Sequence, residues 1–174
     1  MERSELEHVI RAAGAIAQSR QIVIIGSQAI LGTHPDAPPE LRVSQEVDAY
    51  PADDPGKADL IDGSIGELSP FHEQFGYYAH GVGPETARLP VRWRDRVVVV
   101  QNENTGDTAG LCLSPADLAV SKLLAGRAKD TAFVRAMLDH GIVSRDELAA
   151  LSTELNQADA RQLTGALSRL AAPG

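Results

Sequence analysis

The stretch "QIVIIGSQAILG" (residues 21–32) decides how this chain is read. Its first half, Ile22–Ile25, is an apolar run rich in β-branched residues, the pattern of a buried central strand. The run stops abruptly at Gly26-Ser27, and a short helix is predicted from Ser27 to Gly32. A chain that needs only a core strand can turn almost anywhere. A Gly-Ser joint that opens a helix can also receive a phosphate, because glycine lets backbone approach closely and a helix start presents unpaired N–H groups. Alone, the joint is equally an ordinary turn followed by an N-cap. The next strand separates the two.

That strand is "LRVSQEVDAY" (residues 41–50), which alternates Leu41, Val43 and Val47 and is ended by Pro51. Glu46 and Asp48 lie two apart on it, so both carboxylates project from one face. Two like charges side by side repel unless something cationic sits between them. A divalent metal fills that role, and hard carboxylate oxygens suit Mg²⁺, which keeps positions open for substrate phosphates. The alternative is a solvated face of an edge strand. The order of strand, Gly-Ser, short helix and acid-x-acid strand favours a two-metal phosphoryl-transfer site.

Outward from this centre, residues 4–18 read as a helix, with Ser4 and Glu7 as a capping box and Leu6, Val9, Ile10, Ala13 and Ala17 as its apolar stripe. The prolines of "THPDAPPE" (33–40) forbid regular structure there. A helical patch is predicted through Leu60, Ile61, Ile65 and Leu68, and strands at "YYAHGV" (77–82) and "RVVVV" (96–100). From residue 114 onward the pattern is wholly helical. Ser114-Pro115-Ala116-Asp117 supplies an N-cap, a proline at the first helical position and an early acid. Four helices are predicted between 114 and 171, with Leu118, Phe133, Met137, Leu138, Leu163, Leu167 and Leu170 facing inward and no strand among them. The fold class is α+β: a mixed sheet with flanking helices in residues 1–113, and a helical part, residues 114–174, packed on it.

Composition narrows the classes. The formal net charge of −8 argues against dominant non-specific nucleic-acid binding. A single cysteine, Cys112, excludes an intramolecular disulfide and a multi-cysteine zinc site. No apolar run reaches membrane-spanning length, and "MERSELEHVI" carries no signal-peptide hydrophobic region, so a cytoplasmic protein is expected.

Gly26-Ser27 followed by Arg42-x-Ser44-x-Glu46-Val47-Asp48 resembles the polymerase-beta type nucleotidyltransferase superfamily. The block "SPADLAVSKLLAGRAKDTAFVRAML" (114–138) resembles the helical segment of nucleotidyltransferase-like toxins of the abortive-infection type. "IDGSIGELSPFHEQFGYYAHGVGPETA" (61–87) resembles an uncharacterised bacterial nucleotidyltransferase-like family. The resemblance implies an enzyme that moves a nucleoside monophosphate from an NTP to a hydroxyl of RNA, protein or a small molecule. It implies Mg²⁺ on Glu46 and Asp48, and phosphates against Gly26, Ser27, Arg127 and Lys129. Lys122 would pair with a phosphate, and Asp130 would belong to a late acidic motif. A toxin-like relative further implies a cognate antitoxin. Lys122, Gly126, Lys129 and Asp130 share a face if their helix is near-continuous.

The chain departs from the pattern twice. Glu46 stands where the family leads with Asp, and no third carboxylate is evident on a later strand, since Asp95 and Glu103 only flank "RVVVV". A non-catalytic binding module, or one half of a toxin–antitoxin pair, is therefore the rival reading. In "RLPVRWRDR" (88–96), a strand would line up Arg92, Arg94 and Arg96, either to bind phosphates or to blunt a sheet edge. His34, His72 and His80 lack ligand spacing and read as incidental.

Overall fold

The computed structural model describes residues 1–171, so residues 172–174 of the helical part lie outside it. Its centre is a five-stranded mixed sheet in the order β3-β2-β1-β5-β4. Strand β1 (Gln21–Ile24) is the middle member, and Ile22, Val23 and Ile24 are fully buried, as their unbroken apolar run requires. It pairs antiparallel with β2 (Glu46–Pro51) and parallel with β5 (Ala109–Cys112). β2 in turn pairs parallel with the edge strand β3 (Tyr78–Gly81), and β5 antiparallel with the other edge, β4 (Val98–Val100).

Helix α1 (Arg3–Ala17) buries the predicted stripe of Leu6, Val9, Ile10, Ala13 and Ala17 and touches β1, β2, β3 and β5. Each fully buried Leu, Val or Ile there contributes about 1.5–3 kcal/mol. Its cap differs from the expected one: Glu2 and Glu5 form the capping box. Glu7 is instead buried, accepting hydrogen bonds from Arg3, Asn102 and Asn104. α2 (Ala58–Ile65) and α3 (Pro70–Phe75) fill the parallel crossover from β2 to β3, with Ala58, Ile61 and Ile65 inward. Leu60 and Leu68 are exposed, so that apolar patch is narrower than its sequence reads. Leu41 to Val43 are not strand; Pro38 and Pro39 open a 3₁₀ turn over Pro39–Leu41 that delays β2 until Glu46.

After β5 the chain is helical: α4 (Pro115–Ala125), α5 (Ala128–Asp139), α6 (Arg145–Ala150) and α7 (Gln157–Ala171), with a 3₁₀ turn, Leu151–Glu154, after α6. Ser114 caps α4 through Asp117, and Ser144 with Glu147 forms the predicted capping box of α6. Leu118, Met137, Leu163 and Leu170 are buried, Leu138 and Leu167 half-buried, and Phe133 is half-buried beside the cleft described below. No helix among the described residues is long and apolar enough to cross a membrane.

The arginine segment is not a strand. Trp93–Arg96 is a 3₁₀ turn, entered from Pro90; Arg96 and the preceding Arg92 are taken up by acids of the helical part, while Arg94 lies over the Trp93 ring. Arg96 binds Asp117 at 2.7 Å and Glu154 at 3.0 Å, and Arg92 reaches Glu154 at 3.0 Å. Arg88 binds Asp159 at 2.7 Å. These arginines tie the core to its helices and present no aligned cationic face.

Candidate active site

The acid pair stands on β2 as the alternation requires: Val47 is fully buried between half-buried Glu46 and Asp48. The parallel register sets Tyr78 opposite Glu46 and His80 opposite Asp48. Directly paired residues share a face of the sheet, so both partners turn toward the acids. Tyr78 Oη donates to Glu46 Oε2 at 3.0 Å. His80 Nδ1 lies 3.2 Å from Asp48 Oδ1 and 3.4 Å from Glu46 Oε1. Glu46, Asp48 and His80 each offer one ligand atom, all within 4.8 Å of one another.

Electrostatics shows the strain of this arrangement. Burial, then the hydrogen bond and charge of Glu46, push the Asp48 carboxyl up to about 6. Burial also acts on Glu46, but hydrogen bonds from Asp48 and Tyr78 and the nearby His80 outweigh it and hold that carboxyl below its usual range. Burial works against a charged His80, yet the two acids raise its basicity overall. Two crowded carboxylates and an adjacent imidazole, opening on a cleft, fit a divalent cation.

Gly26 brings the phosphate candidate to the same place. A Cβ built on it would stand 2.2 Å from Asp48 Oδ2, so only glycine lets β1 run on past the acid. Ile25 N–H donates to the Asp48 carbonyl at 3.1 Å, extending the β1–β2 pairing to the joint itself. Ser27 then opens the predicted turn, a 3₁₀ helix over Ser27–Gly32.

Across the cleft, Lys122 of α4 is buried and donates from Nζ to Ser27 Oγ at 2.8 Å and to Asp130 Oδ1 at 3.2 Å. Its ammonium also sits 4.5 Å from the Phe133 ring centre. Burial lowers its basicity, and the Asp130 charge opposes that. For Asp130 burial is outweighed by hydrogen bonds and charge from Arg127 and Lys122, which keep it ionised. The Lys122–Asp130 contact does not come from one continuous helix. Gly126 ends α4 in the left-handed conformation (φ 72°), and α5 starts anew two residues later. Across a continuous helix, eight residues would separate their backbones by about 12 Å along the axis.

Gly26, Ser27, Glu46, Asp48, Lys122, Arg127, Lys129 and Asp130 all line one cleft of about 670 Å³. That volume lies in the range of small-molecule sites. Asp95 and Glu103 do not line it. His80, read from the sequence as incidental, does, and Tyr78 stands behind Glu46. The missed signal was their place in a predicted strand, which becomes informative only with the parallel register.

Residues 4–164 match the family model described as "Nucleotidyltransferase of unknown function (DUF6036)", and the chain belongs to that family. No curated protein and no solved structure matches it.

Proposed function

From that membership, we propose that the cleft transfers a nucleoside monophosphate from an NTP to a hydroxyl acceptor, with a divalent cation, Mg²⁺ in the family resemblance, on Glu46 and Asp48. The observation that carries this reading is the convergence of Gly26-Ser27, the acid pair and Lys122 on one cleft. Gly26 lets the turn at Ser27 close directly on Asp48, so a phosphate held at that turn would lie close to the acids. Lys122 donates to Ser27 Oγ, which leaves the Ser27 O–H free to donate to a phosphate oxygen. Lys122 and Arg127 set positive charge along the triphosphate, and Lys129 adds a third cation at the rim. Asp130 fixes the first two. The acceptor hydroxyl gives up its proton to water, its oxygen forms the new bond to the α-phosphorus as the bond to pyrophosphate breaks in line, and positioning supplies much of the acceleration. The cation supplies charge neutralisation on the transferring phosphoryl group and activation of the acceptor hydroxyl.

RNA or protein is the favoured acceptor, and a cognate antitoxin the favoured partner, on the strength of the toxin-like block at 114–138. The test is transfer of label from α-labelled NTPs to total RNA and protein extract. Wild-type protein should label one fraction, and Asp48→Asn neither. A second reading, a non-catalytic binding module, is favoured by one observation: the neighbouring strand β3 sets His80, and no third carboxylate, beside Asp48. Mg-NTP binding without transfer to any acceptor would select it.

A further inference from the structure

We propose that His80 is the third ligand of the cation site, and that this two-carboxylate, one-imidazole set selects a first-row transition dication, with Mn²⁺ as its probe, over Mg²⁺. The inference rests on the reading of Glu46 and Asp48 as cation ligands, and adds to it the identity of the metal.

Geometry is its first ground. His80 is fixed by strand register rather than by a mobile loop, directly opposite Asp48. Its Nδ1 is the ring atom aimed at the pair, at 3.2 Å from Asp48 Oδ1 and 3.4 Å from Glu46 Oε1. These are nitrogen–oxygen separations that donors to one ion also adopt, at ligand bonds near 2.0–2.2 Å. Tyr78 is the second ground. By holding Glu46 Oε2 at 3.0 Å it fixes the carboxylate, leaving Oε1 on the His80 side. Orientation of a ligating carboxylate by an outer hydrogen bond is the usual support of a metal site.

Donor chemistry is the third. Mg²⁺ takes oxygen ligands and gains little from an imidazole. First-row transition dications accept imidazole nitrogen together with carboxylate oxygen, and three protein donors leave positions for phosphate oxygens. A histidine used only as a surface counter-ion would neutralise the acids without discriminating between metals.

The experiment titrates free Mn²⁺ by its electron paramagnetic resonance signal, with Mg²⁺ as competitor, for wild type, His80→Ala, His80→Asp and Asp48→Asn. His80 lies half-exposed on an edge strand, so its variants should fold, as circular dichroism verifies. Wild type should prefer Mn²⁺, and His80→Ala should lose at least the roughly 10- to 100-fold in Mn²⁺ affinity that loss of an outer hydrogen-bond partner alone costs. His80→Asp should move the preference toward Mg²⁺. Equal affinity for both ions in wild type, unchanged by His80→Ala, overturns the inference. If Asp48→Asn still weakens both ions in that case, the nucleotidyltransferase reading stands. If wild type binds neither ion and Asp48→Asn leaves NTP binding unchanged, both fall.

Discussion

Lys122 Nζ and Ser27 Oγ meet at 2.8 Å across 95 residues of chain, joining the first helix of the C-terminal part to the turn that follows the central strand. Lys122 also holds Asp130, and all three sit at the cleft. Lys122→Met should leave Asp130 with Arg127 alone and cost about 3 kcal/mol, as truncation of a buried charged pair does. Ser27→Ala removes one hydrogen bond to a charged group and should cost about 1.5 kcal/mol. Both should weaken NTP binding. Urea unfolding gives the two stabilities, and the reverse order would contradict the network drawn here.

Gly26→Ala tests the packing of the joint against the acid. The added methyl meets Asp48 Oδ2 and must displace the carboxylate. A loss of about 1–3 kcal/mol is expected from overpacking. Cation binding should fall further than stability does, because ligand geometry is the first thing displaced. Calorimetric titration beside thermal unfolding separates the two effects.

Asp48→Asn should stabilise the protein in EDTA at pH 8 and leave its stability unchanged below pH 4. The sign follows from the raised carboxyl. Below the unfolded value, 3.8, both states hold the proton and nothing is gained. Between 3.8 and about 6 the unfolded chain has released the proton that the native state still keeps away from Glu46, so wild-type stability falls across that window and is level above it. Asparagine has no such proton to release. Denaturant midpoints across this range check the claim, and a wild type that grows more stable relative to Asp48→Asn toward pH 8 would refute it.

Glu154 predicts the opposite slope. Hydrogen bonds from Arg96, then Arg92, outweigh its burial and hold its carboxyl at about 2, against 4.5 in the unfolded chain. Its stabilisation is complete above 4.5 and drains away as pH falls toward 2. Glu154→Gln should therefore narrow its deficit against wild type between pH 5 and pH 3, read from urea midpoints.

Much of this was legible in the chain. Ile22–Ile25 announces a buried strand whatever surrounds it, and Ser114-Pro115 announces a helix start; both signals are local, and both elements form. Glu46 and Asp48 were visible because alternation along one strand is a local property. Strand β5 was not. "AGLC" has no β-branched run, and its place beside β1 goes with close packing against α1: a Cβ on Gly110 would stand 2.4 Å from Ile10 Cδ1. His80 was hidden for the same reason, since its meaning lies in a register between strands separated by two helices. Arg92, Arg94 and Arg96 misled because alternation looks the same in a strand and in a turn where Arg92 and Arg96 find distant acids and Arg94 lies over Trp93.

The break at Gly126 bears on which insertions and deletions the chain can accept. Lys122 and Asp130 belong to separate rods whose meeting depends on the count of residues in the joint. One extra residue between the start of α5 and Asp130 would swing that carboxylate by about 100° around its helix, away from Lys122 and the cleft. The exposed tip of the loop at 33–38, Pro35 and Asp36, carries no such phase, because it lies between a turn and a turn. Length variation should thus be tolerated at that tip and eliminated between Gly126 and Asp130, whatever amino acids occupy either segment.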